Sequence, residues 1–299
     1  MHTSMSELAN GPRAIRRSGL AGALSSLVRH QAKWPDTTAQ ACKFGRVRRR
    51  ADRAGLHEKI DLLSEGEAEV VGAVVDAVRA PLYSESLPTT WLTSSSWTDA
   101  FLARLRGHHG LSIEPLSTTQ FEAAFNEACS AAGWHVEMAG SATQRFFDTT
   151  VTVAGNKPLR LSLKASAAKD MRAERVHISK LTEAAWIQDA RRQSDRRDRI
   201  VELFQEYQHV TSSIVMLRGF KAREGYHVFY ELIEIPTSIF DPVANLTIEQ
   251  AQAGTIKISD NAEPARFSIR IDRSDSKITL TNIRLELCTI HGRWGLGRA

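Results

Sequence analysis

The stretch Phe147-Asp148-Thr149-Thr150-Val151-Thr152-Val153-Ala154-Gly155-Asn156-Lys157-Pro158-Leu159-Arg160-Leu161-Ser162-Leu163-Lys164 decides the fold. Phe146–Val153 is rich in β-branched residues, and Leu159–Ser166 alternates leucine with Arg160, Ser162 and Lys164. Both patterns have the two-residue period of a half-buried strand. Between them, Ala154-Gly155-Asn156-Lys157-Pro158 carries the residues that reverse a chain. A hairpin centred on Asn156 sets Val153 opposite Leu159, Thr150 opposite Ser162 and Asp148 opposite Lys164. Asp148, Thr150, Ser162 and Lys164 then share one face, while Phe147, Val151, Leu161 and Leu163 turn to the core. A carboxylate facing an ammonium at the open end of a hairpin can hold a divalent cation and a phosphate. Mg2+ takes one or two carboxylates and completes its shell with phosphate oxygens and water.

Outward from the hairpin, Ser117-Thr118-Thr119 leads into Phe121, Phe125 and Ala128 at helical spacing, and Gly133 ends that helix. After the hairpin a long helix is expected from Ile178 to His209, with Ile178, Leu181, Ala185, Ile200, Leu203, Phe204 and Tyr207 inward. Ser213–Leu217 and His227–Ile235 read as strands. Gly254–Ser259, Arg266–Ile271 and Lys277–Thr289 read as an antiparallel meander. Towards the N-terminus, apolar positions from Ile60 to Val78 recur at helical spacing until Ala80-Pro81. A second short helix spans Trp97–Leu105, capped by Thr98 or Ser96. This order predicts an α/β (α+β) chain: a mixed sheet flanked by helices, with an N-terminal helical region and a C-terminal meander. Gly292, Gly295 and Gly297 precede no helix and read as a tail, and Trp186 and Trp294 read as core or anchoring aromatics.

Asp148, a gap of thirteen residues, then Ser162-Leu163-Lys164, resembles the PD-(D/E)XK nuclease motif. It is similar in particular to type II restriction endonucleases in which serine replaces the acid before X-Lys. The resemblance runs from Ser117 to about Ile235 and implies a restriction-endonuclease-like fold. In such enzymes the missing carboxylate comes from the helix after the lysine strand. Glu183 is the best match there, Glu174 the next, and Glu122 or Glu127 of the preceding helix could line the site. Phe147 stands where the family has proline, and Lys164 to Glu183 exceeds the usual gap. The resemblance implies that Asp148 and Glu183 hold Mg2+, with the Leu163 carbonyl as a further ligand. Lys164 would position or activate the attacking water, and Ser162 would occupy the acid's place. It implies hydrolysis of double-stranded DNA at a short site to 5′-phosphate ends by a homodimer, with a cognate DNA methyltransferase as genetic partner. A DNA-binding protein that does not cut, or a repair or structure-specific nuclease, would carry the same residues.

Composition agrees with a DNA partner. The 299 residues are 42% apolar and 24% charged, which excludes a wholly disordered or low-complexity chain. Net charge is +5, yet residues 1–54 hold eleven Lys/Arg against three acids, so all the excess lies there. Arginine forks suit phosphates. Arg48, Arg49 and Arg50 in this arm, with Arg172 and Arg175 beside the hairpin, are therefore the candidate DNA contacts. The expected division is a basic arm over 1–54, a helical region over 55–115 and the nuclease domain over 116–299. Five arginines between Arg191 and Arg199 read partly as a solvated helix face with pairs such as Asp195–Arg199. Cys42, Cys129 and Cys288 are too scattered for a disulfide framework or zinc knuckle, and His177 and His291 read as packing or surface residues. With no secretory h-region and no apolar run near the roughly 18 residues of a span, a cytoplasmic protein is expected.

Overall fold

Ile214-Val215-Met216-Leu217 has no polar face, and the strand containing it is buried on both sides at the centre of the main sheet. The computed structural model describes residues 53–139, 146–167, 173–190, 192–260, 264–272 and 275–298, so Arg48, Arg49, Arg50 and Arg172 lie outside the described residues. The chain divides into residues 1–59 and 60–299. The described residues form α1 (Arg53–Asp61), α2 (Glu65–Arg79), β1 (Leu82–Ser84), α3 (Ser95–His109), α4 (Thr118–Ala131), β2 (His135–Met138), β3 (Thr149–Thr152), β4 (Leu159–Ser166) and β5 (Arg175–Glu183). Then follow α5 (Gln193–Val210), β6 (Ser213–Arg223), β7 (Tyr226–Pro236), α6 (Ile248–Gln252), β8 (Ile256–Ile258), β9 (Phe267–Asp272), β10 (Lys277–Arg284) and β11 (Thr289–Arg298). No helix among the described residues is long and apolar enough to cross a membrane.

Among the described residues, seven strands make a mixed sheet in the order β1-β11-β7-β6-β4-β3-β2, in which only β4 and β6 pair in parallel. Alternate residues of its central strands feed two cores. Val215, Leu217, Val228, Tyr230 and Leu232 pack with α3 and α4 on one face. Ile214, Met216, Ile233 and Ile235 pack on the other with α5 and the second sheet, β5-β10-β9-β8. Helices therefore flank a mixed sheet, as the sequence predicts. The expected meander divides: β8, β9 and β10 join β5 in the second sheet, whereas Thr289 begins a strand of the first.

Other expectations change for identifiable reasons. The helix predicted over Ile60–Val78 begins at Glu65, because Ser64 caps it: the Ser64 N–H and hydroxyl donate to Glu67 at 2.8 and 2.6 Å. The Trp97 helix is capped by Ser94, which accepts from the Trp97 N–H at 3.4 Å. The long helix predicted from Ile178 begins only at Gln193, and β5 occupies the segment before it. Its partner β10 pairs Ile278 with Thr182 but Leu280 with Ile178, so β5 carries two extra residues there. That bulge brings both Ile178 and Leu181 inward, and their three-residue spacing imitates a helical stripe.

The predicted tail Gly292-Gly295-Gly297 is instead part of β11, between β1 and β7. A Cβ on Gly292 would lie 2.1 Å from the Trp294 ring, and one on Gly295 would lie 2.6 Å from the Tyr226 ring. The glycines let these aromatics lie flat on the strand. A buried ion pair ties the two sheets together. Arg218 of β6 pairs with Glu231 of β7, and its guanidinium donates to the carbonyls of Ala173 and Arg175 at 3.1 Å, which fixes the start of β5. Arg293 donates to the second oxygen of Glu231 at 2.9 Å, so neither buried charge lacks a partner.

His109 joins α3 to β7 through hydrogen bonds to Tyr230 at 2.7 Å and to the Ser112 carbonyl at 2.9 Å. Burial is the main cause that lowers its pKa from 6.5 to about 4, so the folded protein holds it neutral. Between those values the unfolded chain binds the proton and the folded one does not, so stability falls as pH falls from about 6.5 to about 4. We expect up to about 1.4 kcal/mol per pH unit from this group. Urea unfolding of wild type and His109→Gln across that window checks it, and the variant's stability should depend less on pH.

Candidate active site

Asp148 lies one residue ahead of β3, and β3 and β4 deliver it to Ser162, Leu163 and Lys164. The hairpin pairs Thr149 with Leu161, Thr150 with Arg160 and Val151 with Leu159, two residues away from the register predicted around Asn156. Gly155, at φ +81°, is the centre of the reversal, and Pro158 has no N–H with which to extend the ladder. Because a two-residue slip preserves the faces, the predicted neighbours still meet. Asp148 Oδ2 accepts from the Leu163 N–H at 2.6 Å, the Ser162 hydroxyl at 3.3 Å and Lys164 Nζ at 3.3 Å. Lys164 Nζ also donates to the Leu163 carbonyl at 3.2 Å.

The surroundings are less open than the hairpin alone implies. Asp148 and Lys164 keep 34% and 20% of their side chains accessible, whereas Ser162 is buried. A cleft of about 510 Å³ opens beside Lys164, lined by Thr118 of α4, Ser166, and His177, Ser179 and Lys180 of β5. Burial first, and then the charge of Arg270, lowers the pKa of His177.

Glu122 is the carboxylate that senses this site. Ser117 begins α4 with a capping box to Gln120, and Phe121 and Phe125 fix the rotation of the helix by burying in the core. Glu122 then lies at the edge of the buried stripe. Burial raises its pKa, the charge of Asp148 raises it further, and Lys164 lowers it. The other candidate acids have other partners. Glu127 pairs with Arg104 across the outer faces of α4 and α3. Glu183 is not on a helix after the lysine strand: it ends β5, opposite Lys277, with an exposed side chain that accepts from Lys180 at 2.8 Å. Glu174 and Arg175 line a different cleft, with Arg284, Glu286 and Cys288.

Residues 57–296 match the SmaI family of type II site-specific deoxyribonucleases. The chain belongs to that family. It is similar to the type II restriction enzyme SmaI of Serratia marcescens, at 30% identity over 207 residues, which cover 66% of this chain and 78% of that enzyme. No solved structure matches. Membership in the SmaI family agrees with the restriction-endonuclease resemblance and makes the chain a site-specific deoxyribonuclease on a restriction-endonuclease-like α/β fold.

Within this SmaI-family chain a further group borders the site, of which the sequence marks only Tyr207, as an inward-facing residue. Phe146, two residues ahead of Asp148, has φ +79°, a region that side chains with a Cβ rarely enter. Thr211, just past α5, holds it there by donating to the Phe146 carbonyl at 3.0 Å, and the Tyr207 ring meets the Phe146 ring at 5.3 Å. The Arg191–Arg199 run also pairs differently from expectation: Arg199 pairs with Glu202 at 3.2 Å and Arg197 with Asp198 at 3.0 Å. His291 is buried and bonds Thr90 at 2.7 Å and Glu234 at 3.0 Å, a packing role as expected. Thr211→Val should remove the hydrogen bond to the Phe146 carbonyl and cost about 0.5–1.5 kcal/mol, measured by denaturant unfolding.

Proposed function

We propose that this deoxyribonuclease is a Mg2+-dependent PD-(D/E)XK restriction endonuclease that cuts both strands of a short duplex site as a homodimer. Its ends would be 5′-phosphate and 3′-hydroxyl, and its genetic partner a DNA methyltransferase. The observation that carries the reading is the convergence of Leu163 N–H, Ser162 and Lys164 on one oxygen of Asp148, with Glu122 close by. Asp148, Glu122 and the Leu163 carbonyl offer oxygen donors only, which suits a hard cation that completes its shell with water and phosphate. We place Glu122, rather than Glu183, as the second carboxylate, because Glu122 feels the charges of Asp148 and Lys164. A bound Mg2+ would polarise the phosphodiester and acidify a water molecule.

The chain's own residues supply the rest. Lys164, with its ammonium held between Asp148 and the Leu163 carbonyl, orients the attacking water and offsets charge developing on the phosphate. Ser162 takes the acid's place in the motif without adding a second charge beside Asp148. The cleft past Lys164 gives the DNA backbone a path along His177, Ser179 and Lys180. Arg48, Arg49, Arg50 and Arg172 are proposed as further phosphate contacts from their charge, and Arg175 from its place at the start of β5. A two-fold dimer matches a palindromic site and cuts both strands symmetrically.

Incubation of phage DNA with the protein and Mg2+ should give discrete bands. A smear or branch-dependent nicks would favour a repair nuclease, and a gel shift without cutting would favour a binding protein. Lys164→Ala should lower the cleavage rate by about 10²-fold or more while the gel shift survives. Glu122→Gln should lower it comparably and Glu183→Gln should stay near wild type. The reverse order would reinstate Glu183.

A further inference from the structure

One face of the second sheet is packed into the core. Ile178, Ile269, Ile278 and Leu280 are buried there, so the residues between them point the other way. His177 and Ser179 of β5 thereby line the cleft beside Lys164, and the outward face continues from them across the sheet. The Thr279 hydroxyl of β10 donates to the Ser179 carbonyl at 2.9 Å, and Arg270 of β9 stands directly opposite Thr279. Side chains of such a pair rise from one face with Cβ atoms about 4.5–5.5 Å apart. A second row runs beside the first: Thr281 opposes Ser268, and Ser268 opposes Lys257 of β8. Burial of Ile256 and Ile258 on either side turns Lys257 outward. The bulge in β5 falls where cleft and face join, and it presents Lys180 as well as Ser179 to the cleft.

These rows hold hydroxyls and bases. Arg270 and Lys257 are exposed, and neither has an acidic partner among the described residues. The acid on this face, Asp272, lies at its end, opposite Lys277, whose Nζ is 3.9 Å from its carboxylate. The charge of Arg270 also reaches His177 at the cleft wall, in keeping with the register. Hydroxyl, guanidinium and ammonium groups are the ones that hold phosphates and set a protein's position on a duplex. Diagonal neighbours such as Arg270 and Lys257 lie about 7–8 Å apart, so two long side chains can address separate phosphates. We propose that the outward face of the second sheet is a docking surface for the backbone of duplex DNA, continuous with the cleft, with Arg270 and Lys257 as its phosphate contacts. This rests on the reading that DNA passes along the cleft at His177, Ser179 and Lys180.

The test is fluorescence anisotropy with a labelled duplex of about 30 base pairs, taken from phage DNA that the enzyme leaves uncut, between about 50 and 200 mM salt. Arg270→Ala and Lys257→Ala should each weaken binding about three- to tenfold at the lower salt. Each should also flatten the plot of log K against log salt by about 0.9, the share of one phosphate. Arg270→Lys should keep the wild-type slope, since it keeps the charge. Lys157→Ala, at the far end of β4 from Lys164, removes the same charge away from the path and should match wild type. All these variants should melt as wild type does, because the side chains are exposed. Wild-type slopes in Arg270→Ala and Lys257→Ala beside a lowered slope in Lys180→Ala overturn the docking face alone. A wild-type slope in Lys180→Ala as well overturns the path along the cleft too. An equal loss in Lys157→Ala makes the effect one of net charge and overturns the face. So does a change in sedimentation without a change in slope, which would assign the face to a second copy of this chain.

Discussion

A carboxylate half-withdrawn from water must be given hydrogen bonds, and the architecture around Asp148 follows from that need. Its Oδ2 takes the Leu163 N–H at 2.6 Å, a bond between the head of one strand and the middle of the next. This requires the hairpin register that Gly155 and Pro158 set, so a slip of one residue would send Asp148 to the opposite face. It also requires α5 behind the strands, since Thr211 and Tyr207 hold Phe146 in the conformation that leads into Asp148.

β4 carries the constraint into the rest of the molecule. It pairs antiparallel with β3 and parallel with β6, and the crossover between those two parallel strands contains β5 and α5. The elements that line the cleft beside Lys164 are therefore the crossover and the start of α4, which approaches from the other core. Burying Leu161 and Leu163 fixes the strand, and the strand's intervening positions then carry the polar groups. Packing and chemistry are read from alternate residues of one segment.

This explains which features were legible in sequence. Strand alternation, turn residues and helix caps are local, so the hairpin, α4 and the Asp148–Lys164 pairing could be read directly, and they carried the family resemblance as well. β5 could not be read correctly, because its bulge depends on β10, a hundred residues away, and produces a helical spacing in a strand. The helical reading of this segment is what puts Glu183 on a helix after the lysine strand, whereas β5 puts it opposite Lys277. Sequence offers Glu122 and Glu127 alike on α4; what separates their surroundings is how Phe121 and Phe125 rotate the helix. The glycines of β11 looked like a tail because the aromatic rings they accommodate come from Trp294 and distant Tyr226.

The placement of β11 also orders events in time. It fills the gap between β1 and β7, pairing Leu296 with Leu82 and Leu296 with Val228, so the sheet stays split until residue 289 and beyond have left the ribosome. Until then β7 exposes a long apolar edge, and Arg218 and Glu231 lack the Arg293 guanidinium that completes their charge balance. Assembly of this fold is thus strongly non-local, and its nascent chains have reason to need shielding during synthesis.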